Sequence, residues 1–317
     1  MGFFPDENYL KFRRISRLGG FAKMAANNVD VSIIIPCYNE QKAIISTLSQ
    51  IIKATSALKE SFEIICVDDH SSDRTGELIA KFGKARLIRN QKNLGYGASI
   101  KKAMLQAKGE YLLITDADGT YPIKDIPALV SQRLKYDMVV GARVKKKSGI
   151  PLLRRPAKLF LSILANYICN ARIPDLNSGF RIFRRDLAMK FYGLYPEGFS
   201  LTTTITVAAL SNGYSVKYIP IEYYKRKGKS SIKPIRDFVG FTTLILRLSI
   251  YFKPMQVFLP VSIFFMLAGS VKLAIDFAQH DYFGIGGVFL AATGIQLLFM
   301  GLLADLIIRR TELVSPK

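Results

Sequence analysis

The chain has 317 residues, 50% hydrophobic and 22% charged, with 45 Lys and Arg against 24 Asp and Glu for a formal net charge of +21. An apolar share of one half excludes an intrinsically disordered chain. Three scattered cysteines (Cys37, Cys66, Cys169) exclude a disulfide framework, and two histidines (His70, His280) leave little material for a histidine zinc site or a Ser-His-Asp triad.

Val31–Pro36 is a β-branched run ending at proline, which predicts a buried strand, and Glu40–Leu58 has helical spacing at Ile44, Leu48, Ile51 and Ile52. Phe62–Val67 predicts a second strand. The turn-rich Asp68-Asp69-His70-Ser71-Ser72-Asp73 after it predicts a helix starting near Asp73. Arg86–Arg89 predicts a third strand, Gly95–Ala107 a helix, Tyr111–Thr115 a fourth strand, Asp125–Leu134 a helix and Met138–Val140 a fifth strand. Strands alternating with helices predict an α/β fold with a Rossmann-like, mostly parallel sheet flanked by helices. Ligands of such sheets sit beyond the carboxyl ends of the strands.

From Arg143 the composition turns basic: Arg143–Asp186 holds eleven Lys or Arg against Asp175 and Asp186, and Pro220–Arg236 has only Glu222 opposing its cations. Ile221–Tyr224 predicts an edge strand. Ile235–Phe252 predicts an amphipathic helix lying among lipid headgroups and Tyr9–Met24 a second surface helix, with an ordinary packed helix as the alternative for each. Met255–Val271 and Phe283–Ala304 are uncharged runs of 17 and 22 residues, the first extended past Lys272 by Leu273-Ala274-Ile275. Such lengths approach or reach the roughly 20 residues that cross ~30 Å of hydrocarbon. The connector carries Asp276, His280 and Asp281, whereas Arg247, Lys253, Arg309 and Arg310 lie on the outer flanks, so the positive-inside rule puts both flanks in the cytoplasm. A buried helical hairpin in a soluble protein is the alternative. Met1–Asp30 lacks the apolar core of a signal peptide. The expected organisation is an extension over 1–30, a cytoplasmic α/β domain over 31–233, an interface helix over 234–253 and a transmembrane hairpin over 254–317, with spans near 255–275 and 283–308. The cations then suit a membrane surface or a phosphorylated ligand. No nucleic-acid partner is expected, because no nucleic-acid module is recognisable.

Asp116-Ala117-Asp118 directly follows the fourth strand. Two carboxylates one residue apart can share a hard divalent cation that bridges diphosphate oxygens, although the same pattern also caps turns. Pro36-Cys37-Tyr38-Asn39-Glu40 ends the first strand and Asp68-Asp69 the second. Adjacent strand ends form a cleft in which Tyr38 can flank a base and a carboxylate can accept from base or ribose. Asn39 and Asp73 have the character of N-caps as well. Asn93-Leu94-Gly95-Tyr96-Gly97 lets backbone approach a ligand at a helix start.

Jointly and in this order, Ile33–Glu40, Val67–Asp73, Asn93–Gly97 and Asp116–Asp118 resemble family 2 glycosyltransferases of the GT-A fold, from Val31 to about Ser231. The resemblance implies nucleotide-sugar binding by Pro36, Tyr38, Asn39, Glu40, Asp68, Asp69, Asn93, Gly95, Asp116 and Ala117, with Asp116 and Asp118 holding Mg²⁺ or Mn²⁺. Val140–Arg143, Asp175-Leu-Asn-Ser-Gly-Phe-Arg181 and Arg226–Ser231 resemble the polyprenyl-phosphate glycosyltransferases, which include dolichyl-phosphate mannose synthase and bacterial glucosyltransferases. Length and the two C-terminal spans are most similar to the bacterial glucosyltransferase type. That likeness implies an acceptor phosphate clasped by Arg143, Ser178, Arg181, Arg226 and Lys229. The catalytic set it implies is Asp118, Arg143, Asp175 and Arg181, with Asp175 orienting an arginine in preference to serving as base. Mannose synthases commonly place Gln as a third metal ligand two residues after the second Asp; Thr120 stands there.

The implied activity is inverting transfer of a hexose to polyprenyl phosphate at the cytoplasmic leaflet, from UDP-glucose in the first instance and from GDP-mannose as the alternative. The implied setting is an integral protein of a bacterial inner membrane, with both termini cytoplasmic and a homo-oligomer plausible for the family. A phosphate acceptor is ionised near neutral pH, so no histidine base is required. Arg154, Arg155 and Lys158 add cations toward an anionic acceptor, and Lys145–Lys147 suit anionic lipids. A processive polysaccharide synthase usually carries Q-x-x-R-W, and this chain has no Trp. A non-catalytic membrane adaptor is the reading from another class; the retained Asp68, Asp69, Asp116 and Asp118 count against it.

Overall fold

Seven strands make one sheet: β1 (Val31–Cys37), β2 (Phe62–Asp68), β3 (Arg86–Arg89), β4 (Tyr111–Ile114), β5 (Met138–Ala142), β6 (Arg181–Arg184) and β7 (Val216–Pro220). Their order across the sheet is β3-β2-β1-β4-β6-β5-β7. This computed structural model describes residues 29–143, 155–198, 200–224, 234–280 and 282–314. The expected helix over Tyr9–Met24, Lys145–Lys147, Arg154, Arg226 and Lys229 lie outside the described residues, as do the side chains of Arg155 and Lys158.

β1 pairs parallel with β2 and β4, β2 with β3, and β5 with β7; β6 alone runs antiparallel, between β4 and β5. The five strands expected between Val31 and Val140 are all present, and the α/β class stands. Two elements differ. The sequence places no strand at β6, whose Arg-Ile-Phe-Arg falls within the basic stretch that begins at Arg143. The edge strand is Val216–Pro220 and not Ile221–Tyr224: Ile221 is buried in the core, and the Tyr224 N–H is spent on the Thr120 carbonyl at 2.9 Å.

The helices of the sheet region are α1 (Ile44–Thr55), α2 (Thr75–Phe82), α3 (Tyr96–Gln106) and α4 (Ile126–Val130), followed later in the chain by α6 (Arg185–Lys190) and α7 (Leu201–Ser211). α1 starts later than its spacing suggests, since the N–H groups of Ala43 and Ile44 both bond to the Glu40 carbonyl and close a turn first. Its Ile44, Leu48 and Ile51 are fully buried with Ile33, Ile35 and Leu113 of the sheet. Burying each such side chain is worth about 1.5–3 kcal/mol, which makes this face of β1 the anchor of the core. Strand β1 is buried along nearly its whole length, as a central strand covered on both faces must be.

The chain divides into two compact units, Met1–Pro156 with Arg172–Pro234, and Ala157–Ala171 with Ile235–Lys317. The second unit contains α5 (Arg155–Cys169), α8 (Pro234–Phe252), α9 (Pro254–His280) and α10 (Ile285–Val314). Within it α8 buries Ile245 and Leu248 and exposes Leu246, Ile250 and Tyr251. Pro254–Gln279 and Ile285–Arg310 each give 26 residues of mean hydropathy 2.0, long and apolar enough to cross a membrane. Their outer faces expose Phe264, Leu267, Phe289 and Leu303, which a soluble core hairpin would bury. Two such helices point to a membrane anchor. They pack closely: the Ser262 hydroxyl donates to the Gly294 carbonyl at 2.8 Å across the pair.

Candidate active site

The carboxyl ends of β1, β2, β4 and β5 place the expected residues along one edge of the sheet. Cys37 at the end of β1 lies opposite Asp68 at the end of β2, and the Asp69 N–H bonds to the Cys37 carbonyl at 2.8 Å. Beyond β1, Tyr38 is 49% exposed, which leaves its ring available to a planar ligand. Asn39 takes a left-handed backbone, φ 57°, and its side-chain oxygen accepts from the Ser72 N–H at 2.8 Å. Asn39 therefore ties the two strand-end loops together instead of capping α1. The Glu40 N–H donates to the Thr75 hydroxyl at 2.8 Å, a third tie between these loops. Asp68 is buried, accepts from the Ser71 N–H at 3.0 Å and faces Arg89 at 3.9 Å.

Asp69 has a more specific job than its sequence position conveys. One carboxylate oxygen accepts from the Asn90 amide at 2.8 Å and the Leu94 N–H at 2.9 Å; the other accepts from the Gly95 N–H at 2.8 Å. A buried carboxylate with three donors is a fastener, and what it fastens is the Asn93–Gly97 loop. Gly97 is required there: a Cβ would collide with the Pro196 carbonyl oxygen and lie 2.7 Å from that of Gly198. The Ala98 N–H completes the seat by bonding to the Glu197 carbonyl at 3.0 Å.

Asp116, Ala117 and Asp118 follow β4 directly. The Tyr96 hydroxyl, from the start of α3, donates to one oxygen of Asp116 at 3.1 Å. Burial and the neighbouring Asp116 charge push the Tyr96 phenol well above its ordinary range, so it remains a proton donor. Asp118 is buried, and its Oδ1 accepts from the Thr120 hydroxyl at 2.7 Å and the Thr120 N–H at 3.0 Å. The Ala117 carbonyl accepts from the buried Thr47 hydroxyl of α1 at 3.1 Å, which pins the turn to the core. Among the described residues, no group of three or more His, Cys, Asp or Glu converges to hold a metal ion. A hard divalent ion with a diphosphate typically takes one or two protein carboxylates and fills its remaining positions with phosphate oxygens and water. The donor set of Asp116 and Asp118 fits that chemistry. Thr120, two residues after Asp118, is engaged with that carboxylate.

At the end of β5, Arg143 meets Asp175 in a bidentate pair and lies over the Tyr223 ring at 5.2 Å from its centroid. Burial opposes both charges, yet their mutual hydrogen bonds prevail: Asp175 is held below the ordinary carboxylate value and Arg143 above that of a free guanidinium. Asp175 thus has the geometry of an arginine-orienting carboxylate.

Ser178 and Arg181 are placed differently from expectation. The Ser178 hydroxyl is buried and donates to the Gly141 carbonyl at 2.6 Å. Arg181 is fully buried, with Nε on the Ser178 carbonyl at 2.8 Å and Nη1 shared between the Thr202 carbonyl at 3.0 Å and the Thr206 hydroxyl at 2.9 Å. With its donors engaged inside the fold, Arg181 acts here as an internal strut joining β6 to α7, not as a clasp facing an acceptor.

Sequence reasoning passed over three tyrosines. Besides Tyr96, Tyr121 accepts from the Gly179 N–H at 2.7 Å and stacks on Phe180 with centroids 5.5 Å apart. Tyr223 packs edge-on against Tyr121, also at 5.5 Å. Together they link Arg143 to the strand end carrying Asp116. The Gly95-Tyr96-Gly97 run after Asn93 is the available signal for Tyr96; nothing local marks the other two.

Residues 32–191 match the Glycosyl transferase family 2 profile, and residues 253–309 match the GtrB C-terminal hairpin. The chain is similar to a dolichyl-phosphate hexose transferase of Haloferax volcanii, 31% identical over 207 residues that cover 65% of this chain and 87% of that protein. A dolichyl-phosphate beta-glucosyltransferase of Dictyostelium discoideum is 28% identical, covering 68% of this chain and 75% of its own length. Among solved structures, glucosyl-3-phosphoglycerate synthase from Mycobacterium tuberculosis, crystallised with Mn²⁺, UDP and phosphoglyceric acid, superposes with a TM-score of 0.54 at 16% identity over 73% of this chain and 82% of that one. S. aureus TarS 1-349 in complex with UDP-GlcNAc gives 0.50 at 24% identity, over 69% of this chain and 66% of that fragment. The two structural likenesses speak for a GT-A-like sheet and for nothing finer. With over half of its length matched by the family profile, and with a relative above 30% identity of which it covers most, the chain belongs to glycosyl transferase family 2.

Proposed function

We propose that this enzyme transfers glucose from UDP-glucose to a polyprenyl phosphate at the cytoplasmic leaflet, in the inner membrane of a bacterium, with inversion at the anomeric carbon. The observation that carries the reading is the Arg143–Asp175 pair at the end of β5, on the same sheet edge as Asp116 and Asp118. A guanidinium locked in a planar, two-pronged contact is suited to phosphate oxygens. The names of the relatives point to the same class of acceptor. A phosphate oxygen of the acceptor forms a bond to the anomeric carbon as the bond from that carbon to the donor diphosphate breaks and UDP departs. The acceptor arrives ionised, so the protein need not remove a proton.

Within this reading Tyr38 flanks the base, while Pro36, Asn39, Glu40, Asp68 and the loop fastened by Asp69 shape the nucleotide cleft. Arg143 holds the nucleophile in line, with Arg226 and Lys229 as further cations. Asp116 and Asp118 would hold Mg²⁺ or Mn²⁺, which when bound neutralises charge on the departing diphosphate. Residues 31–233 form the catalytic domain, 234–253 an interface helix and 254–317 the hairpin that keeps the site at its lipid substrate.

The test is a panel of UDP-glucose, UDP-N-acetylglucosamine and GDP-mannose offered to the full chain with a short polyprenyl phosphate, with lipid-linked product read by mass spectrometry. Glucosyl product that is lost with Asp118→Ala supports the reading. Mannosyl product replaces the donor, and no lipid-linked product from any donor rejects the activity.

A further inference from the structure

We infer that Tyr96 is a positioning residue for the divalent cation, holding the Asp116 carboxylate in its ligating orientation through its hydroxyl hydrogen bond. The inference rests on the reading of Asp116 and Asp118 as metal carboxylates and adds a residue which that reading does not contain.

Asp118 is braced from its own turn, by the Thr120 hydroxyl and N–H. Asp116 draws its brace from 20 residues earlier in the chain, the Tyr96 hydroxyl at 3.1 Å. Two features fix where that hydroxyl sits. Tyr96 opens α3 immediately after Leu94 and Gly95, whose N–H groups are held by Asp69 at 2.9 and 2.8 Å. One residue further on, Gly97 leaves no room for a Cβ beneath the Pro196–Gly198 backbone, so the start of the helix cannot shift outward. From the other side the chain closes in at Gly179, where a Cβ would lie 2.8 Å from the Tyr96 hydroxyl and 3.1 Å from Asp116 Oδ1. The bond is therefore clamped between the Asn93–Gly97 loop and the Ser178–Phe180 segment. A phenol carries a single hydrogen, and here it is directed at the carboxylate. A short carboxylate side chain at a strand end has several rotamers, and an outer hydrogen-bond partner selects one. Loss of such partners typically lowers metal affinity by about 10–100-fold.

The experiment titrates Mn²⁺ into full-length protein in detergent with UDP present, following free Mn²⁺ by electron paramagnetic resonance. Tyr96→Phe keeps the ring and removes only the hydroxyl. The expected result is Mn²⁺ affinity about 10–100-fold weaker, with the melting temperature of the ligand-free protein unchanged. A purely structural tyrosine would move the melting temperature and not the affinity. Mn²⁺ affinity within about twofold of the parent, while Asp116→Asn loses it, overturns the role of Tyr96 alone. If Asp116→Asn also binds Mn²⁺ normally, the metal-site reading falls and takes this inference with it. Should Tyr96→Phe not fold, Gly179→Ala presses a methyl onto the same bond from the opposite side, and parental Mn²⁺ affinity in that variant overturns the inference.

Discussion

Arg143 and Asp175, 32 residues apart, meet through three hydrogen bonds: Nε to Oδ2 at 2.7 Å, Nη2 to Oδ1 at 2.8 Å, and the Arg143 backbone N–H to Oδ2 at 3.0 Å. The backbone contact matters as much as the fork, because it fixes the carboxylate relative to the strand that carries the arginine. Stacking over Tyr223 fixes the guanidinium plane from a further direction.

Replacing Arg143 with Lys keeps the charge and removes the fork. A lysine cannot satisfy both Asp175 oxygens and lie flat over Tyr223, so the cation loses its alignment. We expect kcat/KM for the lipid acceptor to fall by about 10²-fold or more, the scale attached to misplacing a reacting group. UDP binding should be unchanged. Steady-state kinetics against acceptor concentration, with UDP affinity measured in parallel, checks this; parental acceptor kinetics would refute it.

The same pair sets a pH dependence. Asp175 titrates below the ordinary aspartate value of 3.8 in the folded chain, because bonds from Arg143 outweigh the cost of burial. A depressed carboxyl contributes stability that is complete above the unfolded value and disappears as pH falls through the folded one. Asp175→Asn should therefore melt below the parent at neutral pH, and the gap should narrow below about pH 4. Thermal unfolding from pH 7 to pH 3 reads it, and a gap that stays constant into acid would contradict the assignment.

Arg181→Met separates a strut from a clasp. It takes the guanidinium donor from the buried Ser178 carbonyl, at about 1–3 kcal/mol for an acceptor left unsatisfied, and one of the donors from the Thr202 carbonyl, which keeps the Thr206 hydroxyl at 2.8 Å. The expected outcome is a lower melting temperature, with activity per folded molecule reduced less than in Arg143→Lys. Equal or larger loss of acceptor kcat/KM in a variant that melts normally would restore Arg181 to the acceptor site.

Orientation of the hairpin can be read by chemistry, since Cys37, Cys66 and Cys169 are all buried. Tyr282 lies in the connector and Arg310 near the end of α10, both exposed. Tyr282→Cys should react with a membrane-impermeant maleimide added to intact cells, and Arg310→Cys only after lysis. The reverse pattern would invert the proposed topology.

Much of this architecture is legible from residue order alone. Short apolar runs predict β1 through β5, in the case of Arg86–Arg89 with the same bounds, and long uncharged stretches predict α9 and α10. The Asp116-Ala-Asp118 turn is also found from sequence, since a strand followed by paired acids is a local pattern. These features depend on neighbours within a few residues, and side-chain periodicity records whether each one is buried. Tertiary structure alone decided the rest. β6 is buried despite its two arginines because Arg181 finds carbonyl and hydroxyl partners on α7, up to 25 residues away. Asp69 became a loop fastener, Tyr96 a brace for Asp116 and Asp175 a partner for Arg143 through bonds spanning 20 to 32 residues. The identity of a hydrogen-bond partner depends on which strand ends the sheet order sets side by side, and no local period carries that information.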